Sequence, residues 1–240
     1  MNTKKKRILL LVGLVLVLLG VACGIYFGTC YHAGPEAQAA LVPGNGVTVE
    51  AAPFGYLFDG PGSSDALIFY PGAKVECTAY APLLRALAAK GVDCFLVHMP
   101  LNMAFMDMNA AQPIQSAYRY DRWYIGGHSL GGAMAALYAA KNGETLDGLI
   151  LLAAYATKPL PDRLSVLELH GSEDGVLNRQ KLEAGEGFLP AAARSEELSG
   201  GNHAQFGDYG LQQGDGAATV SRQEQTDWAV AQIEKLILGE

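Results

Sequence analysis

Four glycines surround a single serine, Ser129, in the stretch YIGGHSLGGAM at residues 124–134. An apolar run precedes this stretch and an alanine-rich run follows it, which is typical of a buried strand that turns directly into a helix. Residues 127–131 match the pattern G-x-S-x-G, in which the serine occupies a strained turn and the glycines let strand and helix approach closely. We therefore expect Ser129 to protrude at the C-terminal edge of a sheet, where ligands bind in open α/β folds.

Strand-like and helical patterns alternate over residues 46–240. The first two strand-like runs are short and are separated by Pro53, which predicts an antiparallel opening. The later alternation predicts parallel βαβ units, and hence an α/β fold with a mostly parallel central sheet and helices on both faces. The predicted strands are 47–50, 54–58, 66–70, 94–97, 123–125, 149–152, 164–169 and 194–198, and the predicted helices are 80–90, 110–118, 130–141 and 222–238.

A serine hydroxyl becomes an effective nucleophile when a base accepts its proton and a third group orients that base. In folds of this kind the acid and then the histidine follow the serine, on loops after later strands. The loop HGSEDG contains Asp174, our candidate for the acid, with Glu173 as the alternative. The loop GGNHAQF contains His203, our candidate for the base. The pattern therefore predicts a catalytic triad of Ser129, Asp174 and His203.

An oxyanion hole needs two backbone N–H groups, one from the residue after the nucleophile and one from the loop after the third strand. Leu130 is the residue after the serine and is expected to supply the first N–H. The second is expected from the loop YPGAK at residues 70–74. Because Pro71 has no N–H, the amide of Ala73 is our candidate there.

Four segments, FYPGAKVE, GGHSLGGAMA, LHGSEDGV and GGNHAQFGDYG, resemble in order and placement those of the α/β-hydrolase superfamily, and within it the compact dienelactone-hydrolase-like group. The resemblance covers residues 46–238 and implies a cofactor-free serine hydrolase that uses Ser129, Asp174 and His203. Residues 153–163 are too few for the helical cap that many relatives insert between the sixth and seventh strands, so no large cap is expected. Ser129 stands where the dienelactone hydrolases proper have a cysteine, and their substrate is therefore not carried over.

Basic residues at positions 4–7 precede an uncharged stretch, 8–28, of about 21 residues, which as a helix spans about 30 Å, the hydrocarbon thickness of a bilayer. Cationic residues before the span and none close behind it predict a cytoplasmic N-terminus and an extracytoplasmic domain. We therefore expect a membrane anchor at 1–30, a tether at 31–45 and an α/β-hydrolase domain at 46–240. Two alternatives are a signal peptide cleaved near Ala37-Gln38-Ala39 and a lipoprotein modified at Cys23.

Charge excludes one class of partner. Because four of the 17 basic residues lie in the N-terminal cluster, the rest of the chain carries 13 basic against 24 acidic side chains, which argues against nucleic-acid binding. The sequence contains neither a cluster of metal ligands nor a phosphate-binding loop, so we predict no cofactor and no metal. Cys77 and Cys94 fall at opposite ends of the helix predicted at 80–90, and we expect them to be free, buried thiols.

Together these patterns predict a membrane-tethered, extracytoplasmic serine hydrolase that cleaves a carboxylic ester or related acyl substrate through an acyl-enzyme. The methionine-rich residues 100–108 are expected to roof an open pocket that favours apolar acyl groups. A serine peptidase or an acyltransferase is the alternative, because the triad does not decide which nucleophile resolves the acyl-enzyme. The non-enzymatic alternative is a tethered binding module, and the sequence leaves the oligomeric state open.

Overall fold

The computed structural model describes residues 3–62 and 64–239. It separates the chain into two units, with the boundary after Tyr31. The first unit contains helix α1 (Thr3–Gly28), whose segment Leu10–Gly28 is 19 residues long with a mean hydropathy of 2.7. By length and composition α1 is able to cross a bilayer, as expected from the sequence.

In its described residues, the second unit contains eight strands: β1 (Thr48–Ala52), β2 (Gly55–Asp59), β3 (Asp65–Tyr70), β4 (Val92–Val97), β5 (Arg122–His128), β6 (Gly148–Leu152), β7 (Ser165–Gly171) and β8 (Arg194–Leu198). They form one sheet in the order β1-β2-β4-β3-β5-β6-β7-β8. β2 pairs antiparallel with both β1 and β4, and all later neighbours pair parallel. The predicted antiparallel opening and parallel centre are therefore confirmed.

Helices cover both faces of this sheet: α2 (Pro35–Ala40), α3 (Ala81–Ala89), α4 (Ala111–Ala117), α5 (Leu130–Asn142), α6 (Arg179–Gly185) and α7 (Arg222–Ile237). Successive residues of a strand point to opposite faces. Ile68 of β3 packs in one core cluster with residues of α4 and α5. The next residue, Phe69, contacts the ring of Tyr80, which precedes α3, at a centroid distance of 5.1 Å. Since α3 also packs against α7, these two helices share the second face.

The connection between β6 and β7 is short. Residues 153–164, between β6 and β7, are all described and form no helix, so the expected absence of an inserted cap at this point agrees with the structure.

Cys77 and Cys94 are buried and not bonded to each other, as expected. Burial raises the pKa of the Cys77 thiol to about 12 and also raises that of Cys94, so neither thiol is activated.

The segment predicted as a tether, residues 31–45, differs from that expectation. It contains α2, in which Ala37 is fully buried and donates its amide hydrogen to the buried Asp208 carboxylate at 2.8 Å. The Gly34 amide donates to the Asp208 carbonyl oxygen at 2.7 Å, and Arg222 of α7 pairs with the same carboxylate. Residues Pro35–Ala40 are therefore part of the folded domain, because the domain buries their alanine face and accepts their amide hydrogens.

Glu168 is a buried carboxyl group in the middle of β7, with only 1% of its surface exposed. Neither of its oxygens has a hydrogen-bond partner of normal geometry among the described residues. Burial, assisted by the charge of Glu186, raises the pKa of Glu168 to about 7, and the interaction with Ser195 is too weak to offset this. A glutamate in an unfolded chain has a pKa of about 4.3. Between these two values the folded protein therefore keeps a proton that the unfolded chain has released.

We expect the change in unfolding free energy caused by Glu168→Gln to be more favourable to the folded state at pH 8 than at pH 5. As the pH rises from about 4.3 through 7, the wild-type protein loses about 3 kcal/mol of unfolding free energy, since only the folded state is penalised by the carboxylate charge. A neutral glutamine removes this dependence. Urea unfolding at both pH values measures the difference, with the exposed Glu183→Gln of α6 as the control. An equal effect of Glu168→Gln at the two pH values would contradict this explanation.

Candidate active site

Ser129 lies between the last residue of β5 and the first residue of α5, on the turn that the G-x-S-x-G pattern predicts. Its φ and ψ angles are 54° and −122°, which is a strained conformation for a residue with a side chain. The Ser129 amide donates to the carbonyl oxygen of Leu152, the last residue of β6, at 2.9 Å. Ser129 is therefore held at the C-terminal end of two neighbouring parallel strands.

Two glycines allow the backbone to pack closely around Ser129. A Cβ atom on Gly127 would lie 2.6 Å from the carbonyl carbon of Gly131. A Cβ atom on Gly131 would lie 2.2 Å from the Tyr70 carbonyl oxygen and 2.3 Å from the Pro71 carbonyl oxygen. Since no side-chain atom fits at such distances, the loop after β3 packs directly on the first turn of α5.

The structure brings Asp174 and His203 together from the loops after β7 and β8. The Oδ2 atom of Asp174 lies 2.8 Å from Nδ1 of His203, and both residues are buried. The other oxygen, Oδ1, accepts hydrogen bonds from the amides of Val176 at 2.9 Å and Leu177 at 2.7 Å. Because these amides engage one oxygen, the carboxylate presents the other to the imidazole.

The surroundings of Asp174 keep its carboxyl group ionised. Burial raises its pKa, but the hydrogen bond and charge of His203, with the amides of Leu177 and Val176, outweigh burial and hold the pKa of Asp174 below its ordinary value. An ionised carboxylate accepts a hydrogen bond from Nδ1–H, which leaves Nε2 of a neutral imidazole unprotonated. The buried Nε2 of His203 has no hydrogen-bond partner within the described residues. It is thus available to accept a proton.

Glu173, the alternative acid, lies differently. Its side chain is exposed, and its Oε1 atom accepts a hydrogen bond from the Ser172 hydroxyl at 2.9 Å. The carboxylate that contacts His203 belongs to Asp174.

Ser129 and His203 line the same cavity, which has a volume of about 230 Å³ and which we call the site cavity. The side chains that line it are mostly small and apolar, and several of them belong to alanines. The residues that line it are Ser129, Leu130, Ala133, Ala153, Ala154, Tyr155, Val176, Leu177, Asn178 and His203. The site cavity therefore joins the serine and the histidine to a small, largely apolar space.

The two amides predicted to form an oxyanion hole are placed differently. Leu130 lines the site cavity, and as the first residue of α5 its N–H has no intrahelical acceptor. Ala73 is outside the cavity lining. In the loop after β3, the Gly72 amide donates to the Tyr80 hydroxyl at 3.0 Å and the Lys74 amide donates to the Asn102 carbonyl oxygen at 2.8 Å. Among the described residues nothing accepts from the intervening Ala73 amide, so it is the available N–H of this loop.

Residues 100–108 do not roof the site cavity, and that prediction is wrong: none of them belongs to the cavity lining. The backbone explains the difference. Leu101 and Asn102 have positive φ angles of 53° and 52°, which turn the chain sharply after β4. The Tyr70 hydroxyl donates to the Met108 carbonyl oxygen at 3.0 Å and fixes the end of the segment beside β3.

Two residues that sequence reasoning missed hold the His203 loop. The Oδ1 atom of Asp215 accepts from the amides of His203 and Gly175, both at 3.2 Å, so one carboxylate links the histidine loop to the acid loop. Gln225 of α7 accepts from the Asn202 amide at 3.0 Å and donates to the Asn202 carbonyl oxygen at 2.8 Å. The glycines on either side of Asp215 are a local signal of a turn at this position, but they do not indicate which amides its carboxylate contacts.

The other histidines are not arranged as bases for Ser129. His170 pairs with Glu197 at 3.3 Å, and His32 and His98 are exposed. His128 is buried, and its ring centroid lies 4.4 Å from that of His203.

Within residues 3–62 and 64–239, no group of three or more His, Cys, Asp or Glu side chains is arranged to hold a metal ion.

Several solved structures share this fold. Carboxylesterase CesB from Bacillus subtilis matches with a TM-score of 0.57 and 10% sequence identity, over 92% of this chain and 99% of that chain. Est1E from Butyrivibrio proteoclasticus matches with a TM-score of 0.56 and 13% identity, over 81% and 100%. A predicted CIB-like hydrolase from Thermoplasma acidophilum matches with a TM-score of 0.56 and 14% identity, over 79% and 100%. At such identities the likeness concerns the fold.

Comparison of the sequence with a family model gives a more specific result than the structural likeness. No curated protein matches the chain. The sequence model described as "Alpha/beta hydrolase family" matches residues 66–227, a range that runs from β3 to α7 and contains the serine, acid and histidine loops. Because this match spans more than half of the chain and agrees with the sheet order and the turn at Ser129, the chain belongs to the alpha/beta hydrolase family.

Proposed function

We propose that the protein is a serine hydrolase that cleaves a carboxylic ester, or a related acyl substrate, through a covalent acyl-enzyme. The observation that carries the proposal is the contact of 2.8 Å between Asp174 and His203, with Nε2 of that histidine unpartnered among the described residues and with Ser129 in the same cavity. A nucleophile, a base and a group that orients the base are the requirements of acyl transfer.

In the first half of the proposed reaction, the Ser129 hydroxyl oxygen attacks the ester carbonyl carbon and its proton moves to Nε2 of His203. The resulting imidazolium keeps its Nδ1–H bond to the ionised Asp174. The amides of Leu130 and Ala73 donate to the oxyanion of the tetrahedral intermediate. His203 then returns the proton to the alcohol, which leaves, and the acyl group remains on Ser129.

In the second half, water enters the site cavity and gives a proton to His203 as its oxygen attacks the acyl carbon. As the second tetrahedral intermediate collapses, His203 returns this proton to the Ser129 oxygen, and the carboxylic acid leaves. Apart from the substrate and water, these steps use only the residues of the site.

The size of the site cavity supports a small acyl group. Its volume of about 230 Å³ is below the range of roughly 300 to 1,000 Å³ typical of sites for drug-sized ligands. Ala133, Ala153 and Ala154 supply apolar walls without filling the space. We therefore propose short, apolar acyl chains as the preferred substrates. Ferulic acid is bound in a second structure of Est1E, so an aromatic acid ester also belongs in the substrate panel.

We further propose that α1 anchors the enzyme in a membrane and that the hydrolase domain is extracytoplasmic. The basic residues 4–7 precede the apolar segment Leu10–Gly28, which is the charge distribution of an N-terminus that stays in the cytoplasm. A cleaved signal peptide and a lipoprotein at Cys23 are the alternatives to this arrangement.

Labelling with a fluorophosphonate tests both parts of the proposal. In cells that express the full chain, we expect the probe to label a band of full-length mass in the membrane fraction, and the same band to be absent for Ser129→Ala. A labelled band of lower mass in the soluble fraction would show that the N-terminal segment is a cleaved signal peptide and not an anchor. Failure of the wild-type chain to label would favour a non-catalytic binding module and would overturn the proposed hydrolase function.

Purified, labelled enzyme is then assayed on p-nitrophenyl esters of increasing acyl length and on a ferulate ester. We expect kcat/KM to fall once the acyl chain is too long for the site cavity of about 230 Å³. Labelling without hydrolysis of any ester would instead favour a peptidase or an acyltransferase.

A further inference from the structure

Three buried groups outside the proposed triad are joined by hydrogen bonds through one hydroxyl, and they lie beside the triad. The Tyr80 hydroxyl oxygen lies 3.0 Å from the Gly72 amide nitrogen and 2.8 Å from Nδ1 of His128. Tyr80 is fully buried, and His128 is 1% exposed. We call Gly72, Tyr80 and His128 the tyrosine contact.

The direction of each hydrogen bond in the tyrosine contact follows from the donors available. The Gly72 amide can only donate, so the Tyr80 oxygen accepts from it. The Tyr80 hydroxyl hydrogen then has His128 Nδ1 as its acceptor, which requires a neutral His128 that carries its proton on Nε2. Burial, with the neighbouring His203, lowers the pKa of His128 well below its ordinary value, and the His203 backbone only partly offsets this. A neutral imidazole therefore completes both hydrogen bonds of the tyrosine contact, and its buried Nε2–H has no hydrogen-bond partner of normal geometry among the described residues.

Each end of the tyrosine contact adjoins a part of the proposed catalytic machinery. Gly72 directly precedes Ala73, whose amide is the available N–H of the loop after β3. His128 directly precedes Ser129, and its ring packs on that of His203 at a centroid distance of 4.4 Å. One phenol hydroxyl thus joins the backbone beside the proposed oxyanion donor to the ring beside the proposed base.

We propose that Tyr80 is a positioning residue: through Gly72 it sets the Ala73 amide for the oxyanion, and through His128 it holds the ring of His203 in place. This inference rests on the proposed hydrolase function. Tyr80 does not contact the reacting atoms, and its effect is exerted on the transition state, where the oxyanion and the imidazolium are present. Loss of its hydroxyl should therefore lower kcat more than it changes KM.

Gly72 gives independent support, because its lack of a side chain is what permits the tyrosine contact. A Cβ atom on Gly72 would lie 2.8 Å from the Tyr80 hydroxyl oxygen and 2.9 Å from Nδ1 of His128. Both distances are too short for a carbon atom. Gly72→Ala should therefore separate the same three groups while leaving the tyrosine and the histidine unchanged.

The test is the kinetics of Tyr80→Phe on the best p-nitrophenyl ester. We expect kcat to fall by roughly 10- to 100-fold, less than the loss of a whole oxyanion donor, with KM changed by less than about twofold. Tyr138→Phe is the matched control, since Tyr138 is also buried and donates its hydroxyl to Gln115 at 2.8 Å on α4, and its kcat should remain that of the wild type. Thermal unfolding of both variants separates a loss of folding from a loss of rate.

Variants of His128 extend the test. Asparagine places its side-chain oxygen the same number of bonds from Cα as imidazole Nδ1, so His128→Asn keeps an acceptor for Tyr80 but removes the ring that contacts His203. We therefore expect its kcat to lie between those of the wild type and His128→Leu. His128→Leu removes both the acceptor and the ring and should be at least as slow as Tyr80→Phe. Because the acceptor and the hydroxyl belong to one contact, the double variant Tyr80→Phe/His128→Leu should be no more than about threefold slower than His128→Leu.

Two outcomes overturn the proposal: a folded Tyr80→Phe with wild-type kcat, or a His128→Asn variant as slow as His128→Leu. The nitrogen chemical shifts of His128, read by NMR of the full chain in detergent, provide a readout that does not depend on turnover. We expect the Nε2–H form in the wild type, and an Nδ1–H form would contradict the tyrosine contact. If the wild type instead shows the Nε2–H form but no ester hydrolysis or labelling, the proposed function fails and the tyrosine contact survives.

Discussion

Ser129→Ala is expected to lower kcat for ester hydrolysis by roughly 10⁶-fold, the scale seen when the nucleophile of a serine hydrolase is removed. The reason is that the proposed acyl-enzyme route is lost altogether. The amides of Leu130 and Ala73 and the apolar walls remain, so a residual rate of roughly 10³- to 10⁴-fold above that in water should persist. Initial rates on a short-chain p-nitrophenyl ester measure both numbers.

The matched control for this change is Ser116→Ala. Ser116 lies on α4, is exposed, and donates its hydroxyl to the Gln112 carbonyl oxygen at 2.9 Å. It lies outside the site cavity, so its kcat should stay within about twofold of the wild type. A Ser129→Ala variant that retained more than a tenth of the wild-type rate would show that another group is the nucleophile.

Asp174→Asn is expected to lower kcat by roughly 10⁴-fold, and the structure indicates why. The amides of Val176 and Leu177 donate to Oδ1 at 2.9 and 2.7 Å, so the carbonyl oxygen of an asparagine must take that position. Its NH₂ group then faces Nδ1 of His203, which must become an acceptor. The imidazole proton moves to Nε2, and His203 is no longer able to accept the proton of Ser129.

Glu173→Gln is the control for the acid, because it makes the same chemical change one residue earlier. Glu173 is exposed and interacts with Ser172, so we expect its kcat to remain near that of the wild type. The pair of variants is measured on the same ester at one pH. Loss of turnover in Glu173→Gln with activity retained in Asp174→Asn would reverse the assignment of the acid.

Local patterns in the sequence were sufficient for most of the fold. The glycines around Ser129 predicted a strand, a tight turn and a helix, and the structure has a Ser129 φ angle of 54° between β5 and α5. Apolar runs predicted the strands because a parallel strand is buried on both faces, so its whole side-chain set is apolar. Chain order and the loops HGSEDG and GGNHAQF predicted that Asp174, with Glu173 as the alternative, would meet His203.

Other features depend on residues that are distant in the sequence and carry no local mark. Tyr80 reads as an ordinary residue at the start of an apolar helix, and only the folded chain brings its hydroxyl to Gly72 and His128. Asp215 reads as a solvated loop residue, yet its carboxylate links the loops of His203 and Gly175. Composition could not distinguish an exposed tether from α2, because alanine is compatible with both states.

The sequence by itself therefore determined the α/β class, the turn that exposes Ser129, the order of the candidate triad and the apolar N-terminal helix. These follow from periodicity and turn chemistry, which act over a few neighbouring residues. Only the tertiary structure decided which walls surround the site cavity, which amide of the loop after β3 is available, and which buried groups hold His203. Those properties arise from contacts between segments that are far apart in the chain, and their partners are set by packing rather than by local preference.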